Sequence, residues 1–405
     1  MSKAVKITCS LVAAVALAIV VTACGSSKSK TTAVKTSSTT SSAATSSAVS
    51  KPSGPVANEP ESVVKESEEA GVKAAEKEGA PVKVPTETLG LVDITAESEA
   101  ADRIEQGAVE AAKAMGWKIT TVDAEGNPAK SESAMMGFVN EKVSAIIDLS
   151  NSTSSITPAL AAARAANIPV INIGGTQESS PNIEAQFTPN EAELTEKLDE
   201  YMLAHVKKGA KVATFVFPLL LSERTRDEVF DKQVKPHVDV VASHTSNFAA
   251  LVSDTQNAAR TILAANPGLE AFWGDTDTQM PAIAQVLKSK GLCGKVQNYN
   301  FYDDKANLAA IREGCATAVV TSPLGADGWA ATDSLAEMFA RKKTINELPK
   351  GWEELEKGVY GIQIRNGSAI QVLDKSNLPP EGQYATPKVD YVAFFEAKWK
   401  KEFGI

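Results

Sequence analysis

This sequence has no apolar run long enough to cross a bilayer as a stable helix, which takes about 20 residues; Leu11–Val21 falls well short. Basic clustering is missing too. The net charge is −9, and without a long basic run nucleic acid is not an expected partner. Histidine is scarce, with only His205, His237 and His244. His205 falls late in a helical stretch and His237 follows a proline, so both read as surface or packing residues. There is no Walker phosphate loop, no Gly-x-Ser-x-Gly elbow and no His-Glu-x-x-His. Asp275-Thr276-Asp277-Thr278-Gln279 comes nearest to a calcium loop but lacks the turn glycine and the closing bidentate glutamate. With neither an activated nucleophile nor a metal cluster, the expectation is a protein that is not an enzyme and that needs no metal or cofactor.

What is present begins with an export signal. Lys3 and Lys6 open the short apolar run, and Thr22-Ala23-Cys24-Gly25 closes it with small residues. Val21-Thr22-Ala23-Cys24 resembles the lipobox of bacterial lipoproteins. That resemblance implies removal of residues 1–23, lipidation of Cys24, and an extracytoplasmic protein anchored to the cell membrane. Residues 24–58 are almost entirely Ser, Thr, Ala and Lys, with Pro52 and Pro55 near the end, and read as a disordered tether. Residues 59–86 shift to Glu, Lys, Val and Ala. They suit a helix carrying Val63, Val64, Ala70 and Ala74 on a thin stripe, and packing on the body is left open.

Of four cysteines, Cys9 leaves with the signal and Cys24 takes lipid, so the body retains Cys293 and Cys315. Each sits just ahead of an apolar run, Lys295–Phe301 and Ala316–Val320 respectively. Equivalent positions beside neighbouring parallel strands fall within bridging distance, and an oxidising compartment favours a disulfide over two buried thiols.

From Thr88 onward, short apolar runs alternate with amphipathic stretches. Strand runs are expected at Thr88–Ile94, Trp117–Val122, Val143–Leu149 and Ile168–Ile173, with helices between them. Asn127-Pro128 opens one helix in the cap-then-proline order. A second array follows, with strands at Lys211–Phe217, Val238–Ser243, Leu269–Trp273, Val296–Phe301 and Ala316–Val320. Near-continuous apolar strands separated by helices imply parallel sheets covered on both faces. The fold class is therefore α/β, with two Rossmann-like doubly wound lobes. In such sheets ligands bind beyond the carboxyl ends of the strands, and clefts between domains are favoured pockets.

The order of elements from about Leu89 to Phe339 resembles the type I periplasmic binding proteins, the ribose-binding branch in particular. The matching pieces are Gly107–Trp117, Asn127-Pro128, Ala166-Asn167-Ile168-Pro169-Val170-Ile171 and Ala309-Ala310-Ile311-Arg312-Glu313-Gly314. The resemblance implies two lobes joined by a three-crossing hinge near Thr188–Asn190, Ser322–Pro323 and Tyr360–Arg365. Lobe 1 would hold 87–188 plus 323–365, and 189–322 plus 366–405 would make lobe 2 and a C-terminal extension. It also implies capture of a small polar solute, sugar or sugar-like, for an ABC permease, by a monomer. A sensor presenting the ligand to a membrane receptor and an exported hydrolase are the alternatives.

Cleft candidates are the polar and aromatic residues that end the strands. On the first lobe they are Thr95, Glu97 and Ser98, then Ser150 and Asn151, then Asn172 to Thr176 including Gly174 and Gly175. On the second they are Phe217 to Arg224, Trp273 to Asp277 including Asp275, and Tyr302 to Asp304 including Asp303. The resemblance adds Ser322 at the hinge. It places a ligand arginine at Arg224, with Arg226 in a structural ion pair. Where the sugar-binding relatives carry an Asp-Arg pair, this chain has Gly174-Gly175, which on this reading leaves space for a larger or less hydroxylated solute.

Overall fold

Two βα arrays become two separate sheets because each supplies strands that are apolar on both faces. The computed structural model describes residues 60–175, 177–247, 250–343, 352–356, 359–362 and 369–405. The signal, Cys24, the tether and the second half of the Tyr360–Arg365 crossing lie outside these. Among the described residues no helix is long and apolar enough to cross a membrane.

Lobe 1 is built on β1 (Thr88–Asp93), β2 (Lys118–Asp123), β3 (Ala145–Leu149), β4 (Val170–Ile173) and β5 (Ala185–Phe187). The hairpin β11 (Trp352–Glu356) and β12 (Val359–Ile362) joins its edge, giving the order β11-β12-β5-β4-β3-β1-β2. Lobe 2 contains β6 (Lys211–Val216), β7 (Asp239–Thr245), β8 (Ala271–Gly274), β9 (Gln297–Phe301), β10 (Ala318–Thr321) and β13 (Gln371–Asp374). Their order is β13-β10-β9-β8-β6-β7, with only β13 antiparallel to its neighbour. Every residue of β3, β4, β8 and β10 is buried, as strands covered on both faces require.

Local chemistry sets the helix starts. Ser98 caps α2 (Glu99–Ala114) by accepting from Ala101 N–H, and Asn127 caps α3 (Pro128–Glu141) by accepting from Ala129 N–H. Asn190 does the same for α5 (Glu191–His205), at the first passage between lobes. The second passage follows β10 and leads into α10 (Ala326–Arg341), which packs back on α2. Gly107 and Gly328 make that crossing close: a Cβ at Gly107 would lie 2.2 Å from Gly325 O, and one at Gly328 would lie 2.2 Å from Ala108 N. β12 belongs to the lobe 1 sheet and β13 to the lobe 2 sheet.

Of residues 366–405, expected to make part of lobe 2 and a C-terminal extension, β13 joins the lobe 2 sheet. The chain then returns, and α11 (Tyr391–Glu402) packs on α10 and on α1 (Glu61–Glu78). The reason is apolar burial: Trp399 stacks on Trp329 of α10 at 5.1 Å between centroids, and Phe395 lies alongside at 6.1 Å. Residues 60–86 therefore pack on the body. Their buried face is Ser67, Gly71, Ala75 and Glu78, with Val63 and Val64 only half-buried. A Cβ at Gly71 would meet Phe394 O at 2.1 Å, so small residues let this pair of helices approach closely.

Charge seals the three-helix contact. Lys398 Nζ lies 2.6 Å from Asp333, 2.9 Å from Glu402 and 3.2 Å from Glu337, while Arg341 bridges Glu337 and Glu402. Glu78, Glu337 and Glu402 are spaced closely enough to hold a metal, but Lys398 and Arg341 already neutralise the last two, and Lys343 pairs with Glu78 at 3.2 Å.

In lobe 2 the structure joins Cys293 and Cys315 in a disulfide, with Cα atoms 4.2 Å apart. They precede the adjacent parallel strands β9 and β10.

Candidate ligand cleft

The carboxyl ends of both sheets face a cavity of about 560 Å³. From lobe 1 it takes Thr95, Glu97 and Ser98 after β1, Ser150 after β3, and Gly174 and Gly175 after β4. From lobe 2 it takes Ser222, Glu223 and Arg226 of α6 (Leu221–Gln233), Asp277 after β8 and Tyr302 after β9. Ile94, Leu220, Leu251 and Val252 supply apolar wall.

The lobes touch across this cavity. Ser98, besides capping α2, donates from Oγ to Asp277 Oδ2 at 2.7 Å. Asp277 also faces Asp304; burial first, then the Asp277 charge and hydrogen bond, push the Asp304 carboxyl well above the carboxylate range.

Arg226 is the best-held side chain of the site. Its Nε donates to Glu191 Oε2 at 2.7 Å, Nη1 to the Asp275 carbonyl at 2.5 Å and Nη2 to Tyr302 Oη at 2.6 Å. The guanidinium also stacks on Phe301, 4.2 Å from the ring centroid. Glu191 is pushed up to about 7, mainly by burial and against the pull of Arg226. Tyr302 reaches this position through a left-handed backbone, φ 68°.

Several candidates lie elsewhere. Arg224 does not line the cavity: it is a third exposed, pairs with Glu178 of lobe 1 and donates to Pro218 O at 3.0 Å. The arginine facing the cavity is Arg226, two residues on, because the helix turns that position inward. Trp273 is core, donating to Asp199 Oδ1 at 3.2 Å. Asp275 is wholly buried and accepts from Phe217 N–H and Gln279 Nε2. Asn172 braces the β4 turn, donating to Gly175 O at 2.9 Å. Thr176 lies outside the described residues.

Asp303 and Ser322 line a second cavity of about 360 Å³ on the hinge side. There Arg103 of α2 pairs with Asp303 at 2.8 Å, and Tyr384 covers the guanidinium at 3.9 Å.

Gly174 and Gly175 do not leave the open space expected of them. Gly175 N–H donates to Ser150 Oγ at 2.7 Å, and a Cβ there would sit 3.1 Å from both Ser150 Oγ and Ser222 Oγ. The absent side chains let lobe 2 approach lobe 1 at this edge.

Sequence reasoning missed Glu125 and Gly126 after β2 and the segment Ala250–Ser253 after β7, all lining the cavity. The strand-end rule that found the other loops finds these too once applied to every strand of both sheets.

A periodic array of strand-end loops, two lobes and a cavity between them define the class. The model described as "Periplasmic binding protein domain" matches residues 92–343, so the chain belongs to the periplasmic binding protein family. It is 23% identical over 257 residues to the ribose import binding protein of Bacillus subtilis (strain 168), covering 63% of this chain and 83% of that protein. Among solved structures, a glucose-galactose binding protein from Geobacillus stearothermophilus has 18% identity and a TM-score of 0.61, covering 73% of this chain and 99% of that one. A solute binding protein from Clostridium phytofermentas with bound L-rhamnose has 14% identity and a TM-score of 0.65, over 74% and 98%.

Proposed function

We propose that this chain is an extracytoplasmic lipoprotein that captures a small sugar or sugar-like solute between its lobes and delivers it to an ABC importer. The observation that carries this reading is the interlobe cavity of about 560 Å³, lined from both lobes by hydroxyls, carboxylates and one buried arginine. A polyol needs such a set, because each hydroxyl left unpaired in a closed cleft costs roughly 1–3 kcal/mol. The ribose and glucose-galactose specificities of its relatives agree with it. Closure is the transport signal: contacts such as Ser98 to Asp277 exist only when the lobes meet, so a permease that reads the closed shape reads occupancy. Cys24 holds the body at the membrane, and Cys24→Ser should release it or leave an uncleaved precursor; a fully processed form still retained on the membrane would rule out the anchor.

A thermal-shift screen of sugars, polyols, amino acids and nucleosides tests the central reading. A sugar or polyol should raise the melting temperature, since ligand at about 100 times Kd adds roughly 2.7 kcal/mol. Stabilisation by an amino acid or nucleoside alone would overturn it.

A further inference from the structure

We propose that the solute this cleft takes carries a protonated amino group on a hydroxylated frame, as an amino sugar or amino polyol does. The inference rests on the solute-binding reading above and narrows it.

The cavity wall has four carboxylates, Glu97, Glu125, Glu223 and Asp277, and a single cation, Arg226. That cation is already committed. Arg226 is 2% exposed and holds Glu191 at 2.7 Å, with Glu223 further off at 3.7 Å. Glu125 pairs with Lys130 at the surface. Among the described residues, no lysine or arginine pairs with Glu97 or Asp277. Asp277 is 8% exposed, and its partners are the Ser98 hydroxyl and the Asp304 carboxyl. The Gly174–Gly175 edge brings no cation either; it brings Ser222.

The anionic character continues behind the wall. Asp327 at the start of α10 is 1% exposed with Oδ2 lacking a hydrogen-bond partner, and both burial and Glu191 push its carboxyl up. A neutral polyol could donate hydroxyls to Asp277 but would bring no counter-charge to it; Arg103 reaches only the neighbouring Asp304, at 3.6 Å, and is held by Asp303 at 2.8 Å. An ammonium supplies three donors and the missing charge, in hydrogen bonds about twice as strong as neutral ones. Thr95, Ser98, Ser150 and Ser222 then meet the hydroxyls, while Leu220 and Leu251 cover the C–H face of the frame.

The test uses matched solutes that differ at one position, titrated calorimetrically into the full chain in mild detergent: D-glucose, D-glucosamine and N-acetyl-D-glucosamine, the galactose and mannose equivalents, and D-glucitol against D-glucamine. The N-acetyl forms keep the nitrogen and lose the charge. In at least one set the amine should bind about tenfold or more tighter than both neutral members, which is about 1.4 kcal/mol. Asp277→Asn should cut that preference to about threefold. Glu97→Gln, at the exposed mouth, should reduce it in the same direction and serves if the Asp277 variant folds poorly. Neutral members binding as tightly as the amines would overturn the inference and leave sugar capture standing. No binding by any member at about 10 mM would overturn both.

Discussion

Replacing Arg226 separates the two arginines of α6 most sharply. In Arg226→Ala the chain loses three hydrogen bonds, of 2.5–2.7 Å, and a stack on Phe301, and Glu191 is left 4% exposed at the lobe junction without its cation. Breaking a buried pair by removing one partner costs about 3–5 kcal/mol. Glu191 can escape part of this by taking up a proton, since burial already holds its pKa at about 7 and losing Arg226 raises it further. The loss should therefore approach the full figure at pH 8 and fall to less than half of it at pH 5. Adding Glu191→Gln to Arg226→Met should restore much of the stability, because no bare charge remains buried. Arg224→Ala breaks only a partly exposed pair with Glu178, worth about 1 kcal/mol or less. Urea unfolding at both pH values, with solute titration of each variant, reads all four quantities. A loss under about 1 kcal/mol for Arg226→Ala, or a larger loss of affinity for Arg224→Ala, would refute this assignment.

Three further outcomes follow from the same structure. Asp148 is fully buried, accepts from Asn151 at 2.8 Å through Oδ1, leaves Oδ2 without a partner and has its pKa raised by burial to about 7. A raised folded-state carboxyl favours folding while protonated, so this contribution is present below about pH 4 and lost as pH rises through 7. Asp148→Asn should flatten the pH dependence of stability and add up to about 4 kcal/mol at pH 8; an unchanged profile contradicts this. Gly107→Ala drives a methyl into the Gly325 backbone, 2.2 Å from its carbonyl oxygen, and should cost about 1–3 kcal/mol despite the helix preference for alanine, seen as a lower melting temperature. Reducing the Cys293–Cys315 bridge, whose cysteines are 22 residues apart, should lower stability by about 3 kcal/mol, measured as a shifted urea midpoint with and without reductant.

The two sheets were legible because their strands are continuous apolar runs and their helices carry capping residues, as at Asn127-Pro128. The cysteine pair was legible for the same reason: its register follows from strand order. The α1–α11 pair was not. Its seam uses Ser67, Gly71 and Ala75, small residues whose value lies in close approach rather than apolar area, so a hydrophobic stripe is the wrong signal for it. The α11 helix, with Phe394, Phe395 and Trp399 between an Asp390 cap and terminal lysines, was not read from the sequence, and nothing local says which lobe it covers. Within the cleft, strand ends located Thr95, Ser98, Ser150, Asp277 and Tyr302. The choice between Arg224 and Arg226 depends on helix phase at the cavity, where two positions turn a side chain by about half a revolution.

A crystal structure of the chain grown with the tightest-binding solute from the screens tests the central claim most directly. The account predicts solute density between Ser98 and Asp277 on one side and Arg226 and Tyr302 on the other, with the lobes closed over it. Solute seated in the hinge-side cavity beside Arg103 and Trp329, with the strand-end cleft vacant, would contradict it.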